Sequence, residues 1–142
     1  MTGLRPQTIG VYDLPTHFRL ATDEMTAQDP QRGDVVTLSQ HFKNNGYLAQ
    51  GLGKIYHIGH GNIDDKASWS VPSWRPKGPS YVLDANLKNI VPDSKGRKRG
   101  PATESADVSD ETYGDGKIAL ETIERIAEAK KNPQQPFFIA TG

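Results

Sequence analysis

Lys54 and His57 are the residues whose types and spacing can do chemistry together. They close the stretch Gly46-Tyr47-Leu48-Ala49-Gln50-Gly51-Leu52-Gly53-Lys54-Ile55-Tyr56-His57. An ammonium neutralises an oxyanion, and an imidazole exchanges a proton near neutral pH. An anionic ester such as a sulfate or a phosphate suits that pair. The phosphate-cradling loop of nucleotide-binding proteins is a rival reading, and it fails. Its GxxxxGK[ST] pattern needs glycine where Leu48 stands and a hydroxyl where Ile55 stands. Taken alone, a Gly-Lys with a nearby His equally describes an exposed lysine and a packed histidine.

The elements around the pair are those that must hold it. Tyr47 to Leu52 reads as a strand interrupted by Gly51. Gly53-Lys54 then falls at its C-terminal end, where α/β proteins place their chemistry. Thr37-Leu38-Ser39-Gln40 before it is a capping box, and Asn45-Gly46 supplies a left-handed stop, so the pattern predicts a helix over 38–45 with Leu38 and Phe42 on one face. From Asp115 to Lys131 the period is again helical. Ile118, Ala119, Ile123, Ile126 and Ala127 form the apolar stripe, with Glu121, Glu124, Arg125 and Glu128 outside it. Asn132-Pro133 ends that helix, and Phe137 to Ala140 reads as a buried strand. The expected fold class is α/β, a βαβ slice carrying a long loop.

The remaining segments promise less. Residues 1–34 read as irregular, with apolar patches at Ile9–Tyr12 and Phe18–Ala21. Residues 58–110 have neither helical nor strand periodicity, a length that marks a functional loop if the domain is compact. Within them Lys95-Gly96-Arg97-Lys98-Arg99 and Asp64-Asp65 both read as solvated loop charges. Trp69 and Trp74 suit either a sugar face or loop packing. His17, His41 and His60 show no ligand spacing and receive no role.

Composition bounds the partners. Seventeen basic residues balance seventeen acidic ones, so no global field favours nucleic acid or an anionic membrane. There is no cysteine among the 142 residues, hence no disulfide, thiolate site or thiol nucleophile within them. The apolar runs are far short of a membrane span, and no signal peptide is visible at Met1. With 14 glycines, 10 prolines and 35% hydrophobic residues, the chain is loop-heavy.

The string from Gly46 to His57 resembles the second sulfatase signature, in which Gly-Tyr opens a strand and Gly-Lys, an aromatic and His close it. Ala49 stands where Ser or Thr is usual, and Leu52 where a smaller or β-branched residue is usual. Other segments are similar, in the same order, to the iduronate-2-sulfatase group of the type I sulfatases. Met1-Thr2-Gly3-Leu4-Arg5-Pro6 resembles the tail of the first signature, Thr-Gly-x-x-Pro after C-x-P-S-R. Thr8 to Asp13 resembles a stretch ending in Tyr-Asp, and Thr37 to Gly46 the family's Pro-x-x-Phe-Lys-x-Asn-Gly helix. Asp64 to Ser70 matches D-D-x-x-S-W-S, and Pro136 to Gly142 the strand before a Lys-Pro-His.

The resemblance implies part of an alkaline-phosphatase-like sulfatase domain over residues 1–142, truncated at both ends. It implies a hydrolase of sulfated sugars or other sulfate esters, with a formylglycine made from the signature cysteine as nucleophile and calcium polarising the ester. In that family pattern Lys54 binds the sulfate and the formylglycine hydroxyl, and His57 orients that hydroxyl and helps release sulfate. The cysteine and the calcium ligands are expected outside these residues, so no metal ligand is assigned and the chain alone is expected to be inactive. Family members are commonly lysosomal or exported. The alternatives are a phosphoesterase of the same superfamily and a non-catalytic module that keeps an anion pocket at Lys54 and His57.

Overall fold

The structure, a computed structural model, describes residues 1–28, 35–60, 62, 64–78 and 80–142. Its elements run α1 (Pro6–Ile9), α2 (Phe18–Gln28), α3 (Leu38–Asn44), β1 (Leu48–Leu52), α4 (Asp84–Lys88), β2 (Val91–Pro92), β3 (Lys98–Arg99), α5 (Gly114–Ala129) and β4 (Phe137–Thr141). Single 3₁₀ turns stand at Lys66–Ser68 and Asp110–Thr112. Helix α3 begins as its sequence demands: Thr37 is extended, and its Oγ1 accepts the Gln40 amide proton at 3.1 Å. The Gln40 side chain is drawn elsewhere, to Arg19. Gly46, at φ 84°, turns the chain into β1.

β1 and β4 pair in parallel, with Leu48 opposite Phe137 and Leu52 opposite Thr141. α5 makes the crossover between them that a parallel pair requires. Side chains alternate across the pair, so its two faces meet different helices. On one face Phe42 of α3 stacks on Phe138, with centroids 4.5 Å apart and planes 14° apart. On the other, Arg125 of α5 donates to Gln50 at 2.6 Å, and the hydroxyls of Thr122 and Thr141 lie 2.9 Å apart. Helix, sheet and helix therefore form three layers, the α/β arrangement read from the sequence.

Three expectations are corrected. Over residues 1–28 the segment is not irregular: Pro6 sits in the first turn of α1, Gly10 ends it at φ 69°, and α2 follows from residues that favour helix. Residues 29–34 lie outside the described residues. The 58–110 segment holds α4, the antiparallel β2–β3 pair and the 3₁₀ turn at Lys66–Ser68. Glu104 organises it by accepting hydrogen bonds from the Val82 and Leu83 amides, Asn86 Nδ2 and the Tyr113 hydroxyl at 2.7–3.1 Å. The basic run folds into the β2–β3 turn, where the Asp93 carboxylate holds Arg97 Nε at 2.8 Å and Arg99 Nε at 3.3 Å with both arginines exposed. The third correction is the face of α5. Thr122 and Arg125 turn to the sheet, while Ala119, Ile123, Ile126 and Ala127 are exposed.

Candidate functional site

The strand end that carries Lys54 is built by four backbone hydrogen bonds and one close approach. Along the edge of β1 away from β4, Ser70 N donates to Ala49 O at 2.8 Å, and Trp74 N to Gly51 O at 2.9 Å. Gly53 N donates to Trp74 O at 2.8 Å, so residues 70–74 close that edge. Gly53 then turns at φ 75°, and Lys54 N donates to Gly142 O at 2.5 Å, just past the end of β4. A Cβ at Gly53 would lie 1.8 Å from that same oxygen, so the turn admits only glycine. Lys54 is thereby presented, exposed, at the C-terminal end of the parallel pair. No side-chain hydrogen bond or ion pair engages its amine among the described residues.

Tyr56 fixes the path between Lys54 and His57. It is buried, its ring lies 5.9 Å from Phe18 and 5.7 Å from Trp69, and its hydroxyl meets Ser68 Oγ at 2.7 Å. Ser68 donates to Asp65, and a serine hydroxyl has one proton, so Tyr56 and Thr37 both donate to Ser68. Asp65 in turn takes a two-pronged ion pair from Arg19, with Nε–Oδ1 at 3.0 Å and Nη2–Oδ2 at 2.9 Å. Burial pushes the Asp65 carboxyl up, but hydrogen bonds from Arg19 and Ser68 and the Arg19 charge outweigh it and hold the pKa below its ordinary value.

This corrects the solvated reading of Asp64-Asp65. Asp65 is buried and paired, and half-buried Asp64 accepts from Trp69 Nε1 at 3.4 Å and from Ser73 Oγ. Sequence reasoning missed the network because Arg19 lies 46 residues from its partner. Trp69 is a packing residue: it is buried and its ring covers Gly51, where a Cβ would meet it at 2.7 Å. Trp74 is half-buried beside β1.

His57 is half-buried and faces His60. Its Nε2 lies 3.2 Å from His60 Nδ1, with the rings 19° from parallel. His60 had received no role from the sequence, whose one available signal was the His-x-x-His spacing. Of the two sequence-derived site residues, Lys54 is set by the sheet and His57 by Tyr56 and His60. As for metal, no group of three or more His, Asp or Glu side chains that could hold an ion stands together among the described residues. Both oxygens of Asp65 are already engaged by Arg19. Calcium added to the chain is therefore expected to leave its melting temperature unchanged; a rise would count against this.

No family model matches the chain. Among curated proteins, iduronate 2-sulfatase of Mus musculus is 31% identical over 145 residues, covering 100% of this chain and 24% of its own length. Iduronate 2-sulfatase of Homo sapiens is 30% identical over 156 residues, again 100% of this chain and 24% of its own length. A sulfatase of Formosa agariphila is 31% identical over 151 residues, 100% of this chain and 27% of its own length. The chain thus spans about a quarter of the length of the curated relatives it matches.

Proposed function

Because this chain is related to the sulfatases along its whole length, we propose that it carries the sulfate-handling part of a sulfuric ester hydrolase with an alkaline-phosphatase-like domain. The supporting observation is the exposed Lys54, its amine unengaged among the described residues, at the C-terminal end of β1 and β4 inside a stretch that resembles a sulfatase signature. Lys54 binds a sulfate oxygen, where a fixed positive charge stabilises the ester and the departing anion. His57 takes the proton of the hydroxyl that displaces or releases sulfate. The substrate class is a sulfate ester, sulfated sugars among them.

The formylglycine nucleophile of that chemistry forms from cysteine, and these residues contain none. The 142-residue chain assayed alone is accordingly expected to turn over no aryl sulfate, and turnover abolished by Lys54→Ala would overturn that expectation. Calorimetric titration with inorganic sulfate and inorganic phosphate tests the binding role. Sulfate binding should weaken about tenfold or more in Lys54→Ala, as for loss of a charge-assisted hydrogen bond of roughly 1.5–3 kcal/mol. Binding indifferent to Lys54 would sink the reading, and a clear preference for phosphate would favour the phosphoesterase alternative.

A further inference from the structure

We propose that His60 is a positioning residue for His57, holding its ring so that Nδ1 is the nitrogen presented as proton acceptor. The inference rests on the role given to His57 above and adds a residue that the sulfatase signature does not contain. Two observations carry it. The first is the 3.2 Å approach of His57 Nε2 to His60 Nδ1 between nearly parallel rings. The second is the backbone of His60, which lies at φ 53° and is the one non-glycine residue in the left-handed region among the described residues. A side chain held there costs free energy, and such strain persists where the surroundings enforce it.

The surroundings are a tight turn. Gly59 N and Asn62 N each donate to the other residue's carbonyl, at 3.1 and 2.9 Å, and Asn62 Nδ2 donates to Leu14 O. The turn folds His60 back over the residue three positions before it.

A hydrogen bond between two neutral imidazoles needs one proton between the facing nitrogens. When His57 Nε2–H donates to His60 Nδ1, His60 keeps its own proton on Nε2, facing away. His57 is then left with a bare Nδ1, the form a general base requires. On accepting a proton from a hydroxyl at Nδ1, His57 becomes an imidazolium. Its Nε2–H bond to His60 is then charge-assisted and stronger. His60 thus does with a neutral ring what a carboxylate does for the histidine of a serine hydrolase: it fixes orientation and tautomer.

Long-range proton–nitrogen NMR of the ¹⁵N-labelled 142-residue chain, at a pH above the histidine range, reads the tautomer directly. The expected result is a single His57 form, protonated at Nε2 and bare at Nδ1. In His60→Asn, which tolerates the left-handed backbone, that signature is lost and both nitrogens move to averaged positions. His60→Gly relieves the backbone strain and should give the same loss, covering a failure of the first variant to fold. A His57 spectrum unchanged in these variants, or protonation at Nδ1 in the parent chain, overturns the proposal. Adding inorganic sulfate to the same sample separates it from the sulfate reading: no response at the Lys54 amide beside a single His57 tautomer would sink the latter and leave the pairing standing.

Discussion

Asp65→Ala is expected to cost on the order of 3–5 kcal/mol of stability, the loss seen when one partner of a buried ion pair is removed. The Arg19 and Asp65 side chains are only 15% and 5% exposed, so their two-pronged contact sits largely out of water. The same change strands Ser68, and with it the hydroxyls of Tyr56 and Thr37. Whole domains are stable by only about 5–15 kcal/mol, so the loss is a large fraction of the total. Urea unfolding followed by tryptophan fluorescence checks it. A midpoint within error of the parent would show that the network contributes nothing. Asp65→Asn keeps an oxygen acceptor for Ser68 and Arg19 and should recover part of the loss.

The same pair sets an acid limit. The folded Asp65 pKa lies below its ordinary value of 3.8, so its contribution is complete above the unfolded value and disappears as pH falls through the folded one. Melting temperature should therefore decline below about pH 4 more steeply in the parent than in Asp65→Asn, which has no carboxylate at position 65 to protonate.

Gly53→Ala is expected to damage stability and sulfate binding together. The left-handed backbone alone costs roughly 1–3 kcal/mol for a residue with a Cβ. Here the new methyl would also stand 1.8 Å from Gly142 O, the acceptor of the Lys54 amide, so the turn must open and carry Lys54 with it. Gly46→Ala is the control: its φ is 84°, but nothing lies within 4 Å of a Cβ there, so it should show the backbone cost only. If the two variants melt alike, the contact with Gly142 is not what shapes the turn. Lys54→Ala should lose sulfate while keeping its melt, since Lys54 is exposed and no hydrogen bond or ion pair engages its amine among the described residues.

Local chemistry was legible in the sequence, and long-range pairing was not. Thr37 and Gly46 announced α3, and the run from Tyr47 to Leu52, despite Gly51, announced β1 with a glycine turn at its end. The span of α5 was legible from its period, but its buried face was not. Apolarity pointed to Ile123 and Ile126, whereas the sheet takes Thr122 and Arg125 because Thr141 and Gln50 offer them polar partners. Asp65 looked like a loop charge for the same reason: its partner is an arginine that no spacing rule connects to it. Lys54 and His57 were read from type and spacing, yet His60 became visible only once a turn of positive φ folded it back.

The closed edge of β1 gives this small sheet a direction. Segment 70–74 already occupies the hydrogen-bonding groups on that side, while among the described residues no strand pairs with the outer edge of β4. Any lengthening of the sheet can therefore start only from β4. A strand arriving there would lie beside Phe137, which is 37% exposed. That makes the molecule a one-sided template: a lysine or proline introduced on the β4 edge should curb self-association, and the same change along 70–74 should not.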